Sequence, residues 1–371
     1  MLDDLRNLWD RIMPLRFDWL QVEVSTRCNA ACGYCALSCY RKAWQEGVMD
    51  LDTFARLEPY FSHAGMVFLQ GWGEPLLHPH FWSLVRRVRS AGARVGFTTN
   101  GTLLTDRNLE QLFETQVNVI GVSLAGAEAA THERFRCGCG FARLGAGLEA
   151  LRLRKQALGR DHPSVHVAFM LLRSNWCELD ELITRAAGWG VNQVVLSNLS
   201  LVANESLADE SLMLDVSLWP QVQASLEKAS ERAASHGIEF HYYVPDLGSP
   251  QPVCTENVLR SCFISYNGDV SPCVMTKLSV QPSTPLEHMF GAASCTLTNC
   301  LFGNVNRQSL ADIWHGVAAR GFRAAFEKRL GMKNPGVRHL PDPCRHCYKL
   351  FEHVNTNSVS FHRTGRTAIP A

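Results

Sequence analysis

Cysteines carry the first chemical signal in this 371-residue chain: four of its fourteen crowd into "STRCNAACGYCALSCY", residues 25–40. Three of them keep a definite spacing, Cys28-x3-Cys32-x2-Cys35, with Tyr34 directly before the third. Three thiolates on one short loop can hold three irons of a cubane 4Fe–4S cluster and leave the fourth iron open to a substrate or cofactor. A structural zinc site usually takes two CxxC-like pairs, and this triplet lacks the matching half. Cys39 stands outside the pattern and reads as a bystander. A disulfide framework suits a small secreted chain, whereas a long, core-rich sequence with no secretory leader points to metal ligation.

A second group occupies the last third: Cys254, Cys262, Cys273, Cys295, Cys300, Cys344 and Cys347. Within it, "CFISYNGDVSPCV" predicts a β-hairpin, and a two-residue turn at Asn267-Gly268 would set Cys262 directly opposite Cys273. Cys344-x2-Cys347 supplies a further pair. A hairpin pair plus CxxC also fits a zinc ribbon, so the metal stays open on these residues alone. Between the two groups, Cys137 and Cys139 in "RFRCGCGF" form a CxC with too little geometry to assign, and both are expected to be structural thiols.

The elements that must position these groups follow a regular alternation. Apolar, β-branched runs at 19–24, 66–70, 94–99, 117–124, 165–172 and 192–199 alternate with helical patterns, several opened by an N-cap residue or Pro and closed by Gly. Six βα units predict a parallel sheet in an open, partial (β/α)6 barrel, with ligands at the carboxyl ends of its strands. The cysteine triplet directly follows the first strand, at that end. A helix at 216–236 and a strand at "IEFHYYV" complete this unit, and the Pro-rich "PDLGSPQPVC" marks a boundary near residue 245. The expected layout is an N-terminal amphipathic helix (1–16), the barrel (17–245), a small appendage built on the β-hairpin (246–355) and a loose tail (356–371). Lys plus Arg (36) nearly cancels Asp plus Glu (35), which provides no electrostatic footprint for nucleic acid or an acidic membrane. No apolar run reaches the roughly 18 residues of a spanning helix, so a cytoplasmic protein is expected.

The triplet resembles the CxxxCxΦC signature of the radical S-adenosylmethionine (SAM) superfamily, in which Φ is aromatic and the motif follows the first barrel strand. Other strand ends agree. "GWGEPLLHP" is similar to the family's GGEP motif, with Trp72 in place of the first Gly and Gly73, Glu74 and Pro75 in register. The resemblance assigns that motif to the SAM amino group. "TTNGTLL" is similar to the family's TNG stretch, which brings in Asn100. "VSLAGAEAATHERFR" resembles a segment whose Ser and terminal Arg contact SAM, which maps onto Ser123 and Arg136. Ala125 replaces the usual Asp and one extra residue precedes His132, leaving Arg134 as a rival to Arg136. A guanidinium suits the methionyl carboxylate because it forks onto both oxygens.

The C-terminal third resembles the SPASM/Twitch appendage of the same superfamily, which opens with Cx(9–15)Gx4C; Cys254-x13-Gly268-x4-Cys273 fits. No cysteine follows Cys347, so one auxiliary cluster is expected, on Cys254, Cys273, Cys344 and Cys347, with Cys262 competing as first ligand. The resemblance implies reductive cleavage of SAM to a 5′-deoxyadenosyl radical, hydrogen-atom abstraction from substrate, and a net oxidation or crosslink with the auxiliary cluster as electron acceptor. It also implies a flavodoxin or ferredoxin-type reductant. The substrate is a small molecule or a peptide. About 16 residues before the first strand are too few for a recognition domain, which favours a small molecule or a peptide delivered by another protein. Trp72, Tyr242 and Tyr243 are available to line a pocket, although core packing is the commoner role for such aromatics. The rival readings are an Fe–S electron carrier, which needs no open iron, and a zinc-stabilised binding protein.

Overall fold

The computed structural model describes residues 15–281 and 284–354. The expected N-terminal helix and the tail lie almost wholly outside those residues. All six expected barrel strands form: β1 Phe17–Val22, β2 Ala64–Phe68, β3 Val95–Thr99, β4 Val119–Leu124, β5 Ser164–Leu171 and β6 Gln193–Asn198. Each pairs in parallel with the next. Their inner and outer faces are both covered, so the runs are apolar almost throughout, as parallel strands require. A seventh parallel strand, β7 (Glu239–His241), extends the β6 edge.

The crossover helices behave as their sequences direct. Phe81–Ser90 presents Phe81, Leu84, Val85 and Val88 to the sheet. Asp106–Glu114 is capped by Thr105, whose hydroxyl accepts from Asn108 N. Phe141–Leu158 ends at Gly159, which takes φ +59° as a C-terminal cap must. The pattern at 51–61 is expected to give one helix, yet it splits into Leu51–Ala55 and Glu58–Phe61. Pro59 is the reason: it has no N–H to continue the first segment but fits the first turn of a new one.

The C-terminal hairpin does not stand apart from the barrel. Its first strand, β8 (Ser261–Ile264), pairs in parallel with β1, with Trp19 opposite Ser261 and Val22 opposite Ile264. Strands β9 (Asp269–Ser271) and β10 (Gly303–Asn304) follow antiparallel, giving one open ten-stranded sheet ordered β10-β9-β8-β1-β2-β3-β4-β5-β6-β7. The hairpin loop corrects an expectation. Ser265 N donates to Asp269 O (2.9 Å), Gly268 N donates to Ser265 O (2.8 Å) and Gly268 sits at φ +86°. The loop is therefore a three-residue turn with a left-handed glycine, not a two-residue one. Phe263 faces Ser271 and Ile264 faces Val270, so the register is one residue away from pairing Cys262 with Cys273.

Beyond β9 a further hairpin, Glu287–Phe290 with Ala293–Thr296, has no counterpart in the sequence expectations. Helices Leu310–Trp314 and Val317–Glu327 occupy the predicted helical stretch. Glu352–Val354 then pairs antiparallel with Tyr243–Pro245, tying the end of the described chain to the β7 side of the barrel. Among the described residues, no helix is long and apolar enough to cross a membrane.

Candidate active site and cluster pockets

The loops leaving β1, β2, β3 and β4 converge on a cavity of about 270 Å³ at the carboxyl end of the barrel. Cys28, Cys32 and Cys35 line it, whereas Cys39 does not; its thiol turns to Gly33 O at 3.7 Å. Cys28 accepts from Ala30 N at 3.4 Å, and burial pushes the Cys28 and Cys35 thiols up, Cys35 to about 12. Buried thiols of this kind ionise only when a cation compensates them, and iron is such a cation.

Gly73 and Glu74 line the same cavity; Pro75 does not, and instead opens a single 3-10 turn, Pro75–Leu77. A Cβ at Gly73 would lie 2.3 Å from Ser25 O and 2.6 Å from Arg27 O, so only glycine lets this loop close on the cluster loop. Glu74 N donates to Arg27 O (2.8 Å). The Glu74 carboxylate is fully engaged: Oε1 accepts from Thr99 Oγ1 (2.8 Å) and Leu76 N (3.2 Å), and Oε2 from Asn100 N (2.7 Å). Burial raises its pKa while those donors oppose the rise. Glu74 thus locks the β2 loop to the β3 loop.

Asn100 passes the connection on. Its Nδ2 donates to Asn29 Oδ1 (2.8 Å) and lies 3.8 Å from Cys28 Sγ, and its Oδ1 accepts from Thr102. Trp72, standing where a glycine is usual in the family motif, lines the cavity, with its backbone N–H on Glu23 Oε1 (3.0 Å) and its indole N–H on Val274 O (3.3 Å). Glu23 is fully buried beneath this loop, and burial pushes its carboxyl up to about 7. Tyr242 and Tyr243 do not line the cavity; Tyr242 packs against Phe240 in the core.

Ser123 and Arg136 also line the cavity. Arg136 is buried, donates from Nη1 to the Tyr34 hydroxyl at 2.7 Å, and keeps Nε without a partner among the described residues. Its rival Arg134 points away, with 63% of its side chain exposed, paired to Glu210 at 3.1 Å and stacked over Phe135. The extra residue before His132 therefore leaves the second arginine in the site. An orphaned guanidinium N–H, a glycine cradle and a three-thiol loop around one cavity fit SAM bound to a three-cysteine cluster.

A second, smaller cavity gathers Cys254, Cys273, Cys344 and Cys347. Burial pushes all four thiols up, and Cys254, Cys273 and Cys347 each act electrostatically on Cys344. Cys262 is absent from this lining and sits in the core, with Arg323 as its charged neighbour. The one-residue register shift turns it to the other face of the strand. Cys300 lies near Cys344 without lining the cavity.

Four residues line both cavities: Ser200, Glu256, Met275 and Lys349. Lys349 is buried and holds Glu352 at 3.5 Å and Glu256 at 3.9 Å. Glu352 is satisfied by Thr255 Oγ1 (3.0 Å) and Asn198 Nδ2 (3.3 Å), which leaves Glu256 the less engaged carboxylate of the pair. None of these four is a sequence-stretch motif. The available signal is that Glu256 and Lys349 each stand two residues after a cavity cysteine, Cys254 and Cys347.

An open parallel barrel with a three-thiol loop at its strand ends, backed by a second buried set of four thiols, defines an iron–sulfur enzyme built around a SAM-binding cluster. The chain belongs to the radical SAM superfamily: residues 22–186 match that family model, and residues 254–348 match the SPASM iron–sulfur cluster-binding domain. It is 29% identical over 315 residues to the tungsten-containing aldehyde ferredoxin oxidoreductase cofactor-modifying protein of Pyrococcus furiosus, covering 82% of this chain and 83% of that one. It is 24% identical over 338 residues to the PqqA peptide cyclase of Granulibacter bethesdensis, covering 88% and 79%. Among solved structures, Streptococcus suis SuiB bound to S-adenosylmethionine superposes with a TM-score of 0.62 at 13% identity, covering 93% of this chain and 75% of that one. The barrel binds a 4Fe–4S cluster and SAM, and the C-terminal domain binds auxiliary iron–sulfur.

Proposed function

We propose that this enzyme oxidises or crosslinks a side chain of a peptide substrate by hydrogen-atom abstraction, with one auxiliary cluster as electron acceptor. The observation that carries this reading is the shared wall of Ser200, Glu256, Met275 and Lys349: a substrate held in the larger cavity lies one layer of side chains from the four-thiol cavity. The peptide class is supported by the PqqA peptide cyclase relative, alignable over 88% of this chain. When bound, the reduced cluster and SAM supply a 5′-deoxyadenosyl radical that takes a hydrogen atom from the substrate.

The chain's own residues do the rest. Cys28, Cys32 and Cys35 hold three irons and leave one for the amino acid end of SAM. Arg136, steadied by Tyr34, takes the methionyl carboxylate, and Ser123 adds a polar contact on the same wall. The Gly73 backbone receives the amino group, while Glu74 and Asn100 hold the β2 and β3 loops around it. Cys254, Cys273, Cys344 and Cys347 hold the auxiliary cluster. A flavodoxin or ferredoxin-type reductant and a cytoplasmic location complete the reading.

The test is anaerobic reconstitution followed by SAM, dithionite and any short peptide found encoded beside this gene. The expected result is 5′-deoxyadenosine together with a peptide lighter by two hydrogens, both lost in Cys32→Ala. 5′-Deoxyadenosine with no change in the peptide would move the substrate to the small-molecule class.

A further inference from the structure

Trp72 stands where the family motif has a glycine, and its side chain leaves the β2 loop for the C-terminal domain. The indole N–H donates to Val274 O (3.3 Å), and Val274 is joined by a peptide bond to Cys273. Val274 opens the 3-10 turn Val274–Thr276, for which Cys273 is the N-cap residue. Two hydroxyls hold the Cys273 carbonyl: Thr276 Oγ1 donates to it at 2.8 Å and Ser271 Oγ at 3.1 Å. Val274 O also accepts from Lys277 N at 3.4 Å. Met275, next in the turn, lines both cavities. The indole ring packs on a small apolar cluster that holds Ala36, the neighbour of Cys35, together with Leu278 and Val280 of the C-terminal domain.

The backbone of Trp72 is anchored on the barrel side. Trp72 N donates to Glu23 Oε1 (3.0 Å), and the next residue, Gly73, is pressed onto the carbonyls of Ser25 and Arg27. A Trp side chain has only two rotatable bonds. Anchored at both ends, it transmits a displacement of Val274 to Gly73 instead of absorbing it.

We propose that Trp72 is a positioning residue that couples the two cofactor sites, its indole tying the loop that receives SAM to the carbonyl beside Cys273, so that SAM binds more tightly when the four-thiol site is filled. The inference rests on the assignments of Gly73 to SAM and of Cys273 to the auxiliary cluster. A metal–sulfur bond at Cys273 adds a fixed point to a turn otherwise held by hydrogen bonds, and the indole passes that order on to the β2 loop. Coupling of this kind is reciprocal: SAM in the barrel favours a filled four-thiol site by the same factor. A glycine at position 72 has no side chain with which to make the tie.

The measurement is equilibrium SAM binding to the reconstituted full-length protein in a cycle of wild type, Trp72→Phe, Cys347→Ala and the double variant. Phe keeps an aromatic ring on the apolar cluster and removes the N–H. Trp72→Phe is expected to weaken SAM binding about tenfold, within the usual span of coupling between two sites. Cys347→Ala is expected to weaken it by a similar factor while retaining about four irons per chain, and the double variant to lose no more than either alone. Cys254→Ala removes a ligand on a separate segment and is expected to repeat the result, which covers a Cys347→Ala protein that fails to fold. A role confined to local packing would make Trp72→Phe equally costly with the four-thiol site filled or empty. Additive losses therefore overturn the proposal, as does a Trp72→Phe affinity within about twofold of wild type. SAM binding absent from the wild-type protein at about eight irons per chain would instead overturn the SAM-site assignment, and retention of about eight irons in both cysteine variants the auxiliary-ligand assignment.

Discussion

Arg136 donates to the Tyr34 hydroxyl across 2.7 Å, joining the aromatic residue of the cysteine motif to the arginine that closes the β4 loop segment. Two stretches a hundred residues apart are thereby one structure, and the pair sits against Cys32.

That pairing predicts how SAM affinity divides. Arg136→Ala is expected to abolish measurable SAM binding to the reconstituted protein, and Tyr34→Phe to weaken it about tenfold, the scale of one hydrogen bond to a charged group. Arg134→Ala, at an exposed pair with Glu210, should stay within about twofold. Equilibrium SAM binding decides it, and a larger loss in Arg134→Ala than in Arg136→Ala would reverse the assignment.

Iron content tests the auxiliary set. The wild-type protein should hold about eight irons as two cubanes. Alanine at Cys254, Cys273, Cys344 or Cys347 is expected to bring this to about four, while Cys262→Ala should retain the full complement. Equal iron loss in Cys262→Ala would restore it as a ligand and count against the three-residue hairpin turn. Zinc with no iron would replace the cluster reading altogether.

The close approach at Gly73 sets up a contrast between two glycines. Gly73→Ala drives a methyl group into the carbonyls of Ser25 and Arg27 and is expected to cost about 3 kcal/mol. Gly33, on the cluster loop itself, has nothing within 4 Å of its Cβ position, and Gly33→Ala should change stability by less than about 0.5 kcal/mol. Thermal unfolding of the two variants checks the difference.

Glu23 carries a pH signature. Burial raises its pKa from 4.5 to about 7, so the folded state binds the extra proton between those values. The stability it contributes is fully present below pH 4.5 and is lost as pH rises through 7, by about 3 kcal/mol at most. Glu23→Gln keeps an acceptor for Trp72 N and removes the titration. The stability of this variant relative to wild type is expected to rise between pH 5 and pH 8; a constant difference across that range would contradict the buried-proton account.

The sequence by itself determined the six strands, the strand-end placement of the cysteine triplet, and the loops bearing Gly73, Asn100 and Ser123. These features rest on local periodicity and on short spacings, which the chain carries within a few residues. The split of the 51–61 helix was equally local, since Pro59 was in plain view. Tertiary structure alone decided what depends on the direction of a side chain. One residue of hairpin register removed Cys262 from the four-thiol cavity, because neighbours on a strand face opposite ways. Choosing Arg136 over Arg134 needed the short pairing of its segment with the cluster loop. Glu256 and Lys349 became a single wall only when β8 docked on β1 and Glu352–Val354 paired with Tyr243–Pro245. The pairings that place Arg136, Glu256 and Lys349 join residues a hundred or more positions apart, and no local pattern in the chain encodes them.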